Sequence, residues 1–321
     1  MKTIISNKLL EFNFALFPIW ILPTYFLLKS VFPSPELSFL IFIILLGETH
    51  FASTFLFYFD QKNNSYIKNN KFIIIYIPLF LAILFFLFGL KYFKFALLLS
   101  AIASGIHVTR QSIGISRIYG THRNNFFEFL IYFSSFSFLI VGFLRFYYQD
   151  YSSFILSVLP IDIKEFVKYS MIIINNKIIT ISVVIFFSIL AIQEKTDYKK
   201  KLSNLCGVLL YSPYLFVNHI YDAIVIGVGA HWSQYLILNY KIYFHQKKFD
   251  LNKKIQILFI LSYAIIMGSI LYKYYFNISV IEIMILVPLT SQFFHYYVDA
   301  FIWRFSVKEI RDSIGSRLFS N

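Results

Sequence analysis

The chain has 321 residues, 58% of them hydrophobic and only 14% charged. A soluble domain carries about 25% charged residues, so this balance excludes an ordinary water-soluble globule and points to a membrane protein. The net charge of +13 does not signal nucleic acid, because the basic residues sit in short loops between apolar runs, where membrane topology accounts for them.

About 20 apolar residues cross a bilayer as a helix. By that rule spans fall at 12–30, 36–59, 72–91, 93–115, 126–148, 171–192, 202–218, 219–240, 255–276 and 278–304, which makes ten. The first follows Lys2 and Lys8, contains Pro18 and Pro23, and lacks a small-residue cleavage site, so it reads as a retained span. Residues 202–240 hold two spans broken near Ser212-Pro213 or Asn218, or else one bent or re-entrant segment.

Loop charge orients this arrangement. Lys62, Lys68 and Lys71; Arg117 and Arg123; Lys195 and Lys199 to Lys201; Lys241, Lys247, Lys248, Lys253 and Lys254; and Lys308, Arg311 and Arg317 mark five basic segments. The positive-inside rule places all five in the cytoplasm, and an even number of spans separates each from the next. The segments around Glu36 and from Gln149 to Ser170 are poorer in basic residues and face outward. With few Gly/Pro-rich stretches and no repeat, the expected fold is all-α. It is a polytopic transmembrane helical bundle of about ten spans, one integral membrane domain over 1–321, with both termini cytoplasmic. A bacterial cytoplasmic membrane is the expected location.

Against this background the histidines stand out, since ionisable residues inside spans usually mark a site. His50 lies in LLGETHFASTF, His107 in ASGIHVTRQSIG, His219 and His231 in VNHIYDAIVIGVGAHWSQYL, and His295 in SQFFHYYVDAFIWR. His122 is in a basic loop, and His245 lies in a lysine-rich one that is solvated or interfacial. Topology puts His50, His107, His231 and His295 at compatible depths, whereas His219 with Asp222 belongs nearer the outer face.

His295 and Asp299 are four apart, and His219 and Asp222 three apart, so each pair shares a helical face. A carboxylate beside a histidine orients the ring and raises its basicity as a metal ligand. Glu48 and His50 point to different faces, while Thr54 shares the face of His50 and is placed to hydrogen-bond it. His107, Arg110 and Gln111 form a polar stripe after the small residues Ala101, Ser104 and Gly105; Gly227, Gly229 and Ala230 precede His231 in the same way. Small residues let neighbouring helices approach closely.

A membrane histidine also serves simply as a helix–helix hydrogen bond. Five histidines with three carboxylates exceed what packing needs, so the sequence points to a metal site. The expected ligands are His50, His107, His219, His231 and His295; Glu48, Asp222, Asp299, Arg110 and Gln111 are the supporting catalytic residues. Imidazole with carboxylate suits iron, zinc or copper, and the single cysteine, Cys206, excludes a thiolate-rich site. Open positions beside histidine and carboxylate favour non-haem iron, and the HExxH motif of zinc proteases is absent.

This pattern resembles the membrane histidine-rich oxygenases. The HxxxH and HxxHH boxes of the membrane desaturases and hydroxylases do not occur here. THFASTFLFYFD, with His50 and Asp60, and DAIVIGVGAHWSQYL, with Asp222 and His231, resemble segments of the bacterial and archaeal β-carotene cleavage oxygenases of the Brp/Blh family. That family's HG-x-x-D element is missing. The resemblance implies an oxygen-dependent, iron-binding enzyme acting on an isoprenoid or another lipid-soluble substrate. Two other classes fit the same residues: a proton- or metal-coupled transporter using Glu48, Asp222, Asp299 and the histidines, and a lipid or polyisoprenoid transferase using His107, Arg110, Arg117, His122 and Arg123.

Overall fold

A computed structural model of the chain describes residues 8–32, 35–120, 124–150, 176–244, 251–275 and 282–319. Every regular element among them is helical, as composition and apolar periodicity demand. The number of simple spans is smaller than the run lengths suggested. Among the described residues three helices are long and apolar enough to cross a membrane: Phe72–Lys91, Asn125–Phe146 and Leu251–Lys273. A fourth is reached if Lys8–Leu16 and Ile21–Val31, bent by 76° at their junction, make one span.

The count of ten is therefore corrected, and the reasons are local. Leu37–Ser53 and Lys177–Ile192 are apolar but short. Phe93–Tyr119 and Glu282–Ile302 are long, yet the first carries Thr109, Arg110, Gln111 and Ser112 and the second Gln292, His295 and Asp299. The stretch 202–240 is broken at both expected places. The helix Tyr198–Leu209 ends before Pro213, a short turn runs Pro213–Phe216, and Val217 is extended before the chain re-enters a helix at Ile220. Pro213 has no backbone N–H to continue the ladder of Tyr198–Leu209 and instead opens the next turn, which accounts for the first break.

The chain divides into two compact units. The central unit is Gly105–His231; the terminal unit combines Lys2–Ser104 with Trp232–Asn321. In the central unit Asn125–Asp150 packs on Lys177–Ile192, Tyr198–Leu209 and Pro213–Phe216. Ile113, Leu130, Ile131, Ala191 and Val208 form its core. Asn176 and Asp197 start two of these helices by accepting backbone N–H groups, the usual N-cap role of such side chains.

In the terminal unit Ile77–Lys91 packs along Glu282–Ile302, with Phe85, Ala96, Ile285, Leu286 and Leu289 buried between them and Phe85 stacked on Phe293 at 4.7 Å. Pro78 follows the π-helical turn Phe72–Tyr76 inside the helix Phe72–Lys91, and the Ile74 carbonyl four residues before it accepts from the Tyr58 hydroxyl at 2.7 Å. Leu251–Tyr275 packs against the π-helical turn Ile43–Glu48 and against Thr49–Ser53. Gly268 makes this approach close, since a Cβ there would lie 2.6 Å from Ile44. The C-terminal turns are held by Arg317, which pairs with Asp60, donates to the Ser313 carbonyl at 2.7 Å, and lies over the Tyr243 ring.

Candidate metal centre

The terminal unit gathers His50, Thr54, Tyr235, His295 and Asp299 into one buried group. His50 is fully buried, and its ring centre lies 4.6 Å from that of His295 and 4.2 Å from that of Tyr235. Three segments supply these side chains: Thr49–Ser53 with the residue that follows it, Gly229–Tyr243, and Glu282–Ile302. Trp232 closes on Gly47, where a Cβ would stand 3.3 Å from the indole, so glycine lets the two segments meet. Asn239 donates to Ser53 at 2.8 Å, and Ser53 donates to the His50 carbonyl at 2.7 Å, which ties the same two segments together by hydrogen bonds.

Thr54 is the hub of the polar contacts. Its hydroxyl lies 2.5 Å from His295 Nδ1, 3.1 Å from the Tyr235 hydroxyl and 3.3 Å from Asp299 Oδ1. Tyr235 donates to Asp299 Oδ1 at 2.6 Å. Tyr235 gives its proton to the carboxylate, while the Thr54 hydroxyl stands between Asp299 Oδ1 and His295 Nδ1 and can donate to either; when it donates to the carboxylate, the Nδ1 contact takes its proton from the ring. With Nδ1 protonated, Nε2 carries the lone pair. An imidazole held by one N–H to an oxygen, with its other nitrogen basic, is the usual state of a metal-ligating histidine.

The same geometry revises two expectations. Asp299 does not orient His295 directly, because Nε2 and Oδ2 are 3.8 Å apart, beyond hydrogen-bond distance. Nor does the Thr54 hydroxyl serve His50; it bonds His295 from the neighbouring helix. Nε2 and Oδ2 stand 3.8 Å apart on one face of one helix, beside the ring of His50. Imidazole and carboxylate in this combination suit iron, zinc or copper.

Glu48 lies in the same unit but is bound differently. It is 1% exposed and accepts from Gln292 Nε2 at 3.2 Å through one oxygen; its second oxygen has no hydrogen-bond partner among the described residues. It ends the π-helical turn Ile43–Glu48, a feature frequent at functional sites.

The central unit holds its own imidazole pair. His107 and His231 are both buried, with ring centres 5.8 Å apart and the rings nearly perpendicular. Gly105 admits Leu139 beside its helix, and Gly227 approaches the Leu210 carbonyl so closely that a Cβ would lie 2.5 Å from the oxygen. Asp222 is buried, but His219 is exposed. His219 precedes the helix that begins at Ile220, its carbonyl accepting from the Ala223 N–H at 3.2 Å, and the two side chains lie in different surroundings. The polar stripe also divides: His107 faces inward, Gln111 is half-buried and Arg110 is exposed. His122 and His245 lie outside the described residues.

Tyr235 is the residue that a search for histidines and carboxylates overlooks. The signal was present, because it stands four residues after His231, and Asn239 four after that, on a continuous helix. The class that fold and site define is thus an all-helical chain with membrane-compatible helices and two groups of buried histidines. No family model, curated protein or solved structure matches the chain.

Proposed function

We propose that this chain is a multi-pass membrane enzyme, a metal-dependent oxygenase or desaturase acting on a lipid-soluble substrate such as a carotenoid, isoprenoid or acyl chain. The observation that carries the reading is the buried set of His50, His295 and Asp299, with Thr54 hydrogen-bonded to His295 and Tyr235 to Asp299. His107 and His231 are a further imidazole pair with the same ligand chemistry. Iron is the preferred metal, since nitrogen and carboxylate ligands with open positions suit non-haem iron. Bound iron supplies oxygen activation; the protein supplies orientation, a water-poor setting and the proton relays through Thr54, Tyr235 and Asp299. The apolar helices Phe72–Lys91, Asn125–Phe146 and Leu251–Lys273 support a substrate drawn from the bilayer, since their composition suits a lipid surrounding.

Metal analysis of protein purified without chelators tests the reading. Near-stoichiometric iron is expected in the wild type, with clear loss in His295→Ala and in His107→Ala. Protein that elutes folded, free of transition metal and unable to take up added iron, zinc or copper would overturn it. Metal that appears in vesicles only as transported cargo would favour the transporter.

A further inference from the structure

We propose that Arg145 is the centre of an anion-binding site in the central unit, recognising the phosphate of an anionic lipid headgroup. Arg145 lies near the end of Asn125–Asp150 and is only 7% exposed, although it belongs to a strongly apolar helix. Ionisable groups in such places are costly and usually functional. No carboxylate among the described residues reaches it.

Its hydrogen bonds show which part of the guanidinium is committed. Nη1 donates to the Tyr214 carbonyl at 3.2 Å and to the Val217 carbonyl at 2.6 Å. Nη2 makes only a long contact of 3.4 Å with Asn218 Oδ1. Nε donates to nothing among the described residues. The two carbonyls therefore hold one end of the fork and leave the Nε–Nη2 edge, the edge that grips a phosphate or carboxylate through two parallel bonds. Asn218 accepts through its oxygen, so its own N–H groups stand beside that edge. It is exposed, which gives the site an opening.

The backbone is shaped to produce this arrangement. Gly142 stands three residues before Arg145, and a Cβ there would lie 2.4 Å from Tyr214 Cβ. Glycine lets the two segments touch and brings Arg145 level with the broken backbone at Val217–Asn218. By loop charge this end of the helix faces outward, at the depth of lipid headgroups. A cap for the Tyr214 and Val217 carbonyls, with the Phe146 ring 5.4 Å away, would explain the Nη1 bonds but not a buried charge that no carboxylate among the described residues meets.

Native mass spectrometry of protein released from phosphatidylcholine nanodiscs doped with phosphatidylglycerol is the test. Retention of one phosphatidylglycerol is expected, weakened roughly tenfold or more in Arg145→Lys, which keeps the charge but loses the two-bond edge. Asn218→Asp is expected to abolish retention with the protein still monodisperse and helical, because it sets a carboxylate against Nη2 while the carbonyl cap remains. A parallel arm with inorganic phosphate identifies the source: binding of phosphate without lipid supports the same site filled by a soluble donor. Three results would overturn the proposal. They are wild type that retains neither ligand, retention unchanged in both variants, and retention seen only after Asp150, Asp162 and Glu165 are all neutralised. Iron content plays no part in these outcomes, so the site stands or falls apart from the metal reading.

Discussion

The hydroxyl of Thr54 decides how His295 is presented, and a single methyl-for-hydroxyl exchange tests this. In Thr54→Val the shape is nearly kept, but His295 Nδ1, Tyr235 and Asp299 lose their common partner. Removing such an outer partner of a ligating histidine typically lowers metal affinity about 10–100-fold. A metal titration should show that loss, with Thr54→Ser close to wild type; equal affinity in all three proteins would remove Thr54 from the site. A second buried group behaves differently. Glu194 accepts from Lys200 and from Asn204, both at 2.6 Å, and all three are buried. Glu194→Ala removes the carboxylate that pairs with the Lys200 ammonium, a change that costs about 3–5 kcal/mol when an ion pair is buried. Thermal unfolding should show a large drop, partly recovered in the double variant Glu194→Ala with Lys200→Met. Arg117 and Glu128 form a two-bond pair at 2.7 Å, which holds the Arg117 guanidinium above its ordinary pKa, yet Arg117 is half exposed. Exposed pairs contribute about 0–1 kcal/mol, so Glu128→Gln should leave the unfolding temperature nearly unchanged.

At the level of elements, breaks and close approaches matter more than helix length. Gly227 faces a backbone carbonyl, which cannot rotate away as a side chain can. Gly227→Ala should therefore cost about 1–3 kcal/mol, as overpacking does, seen as a lower unfolding temperature. Gly114, with nothing within 4 Å of a Cβ, is the control, and Gly114→Ala should be neutral or slightly stabilising. Equal effects at the two glycines would deny the close contact. These elements also show where sequence reading succeeds. His295 and Asp299 share a face because Glu282–Ile302 is continuous through them, and of the small residues before His107 and His231, Gly105 and Gly227 stand at close contacts. Spacing misled at His219, which precedes its helix, and at Arg110, which turns outward from His107. Thr54 bonds across helices, and such a partner cannot be read from spacing along one chain. The span count was too high because apolar run length is blind to a polar face: the residues that build the candidate site remove Glu282–Ile302 from the class of simple spans.

For the whole molecule, the five basic segments make a claim that does not depend on counting spans. If they share one side of the membrane, charge rather than helix length sets the orientation. Cys206 is the only cysteine and is buried, so a Cys206→Ala background allows single reporter cysteines to be read cleanly. Lys68 and Lys195 belong to two different basic segments, separated in the sequence by the apolar helices Phe72–Lys91, Asn125–Phe146 and Lys177–Ile192 and by the more polar Phe93–Tyr119. Ser34 lies in a segment poor in basic residues. In sealed inside-out vesicles an impermeant maleimide should label Lys68→Cys and Lys195→Cys, while Ser34→Cys should react only after the vesicles are opened. Labelling of Lys68→Cys and Lys195→Cys from opposite sides would mean that an odd number of crossings lies between them. The helix Phe93–Tyr119 would then be the element to reassign, because its second half carries Arg110, Gln111 and Ser116 and has the least claim to a place in lipid. Reactivity of all three from the same side would instead leave residues 35–59 without a crossing. Thr49–Ser53 would then enter and leave on one face, and His50 would reach its buried position from a re-entrant segment rather than from a span.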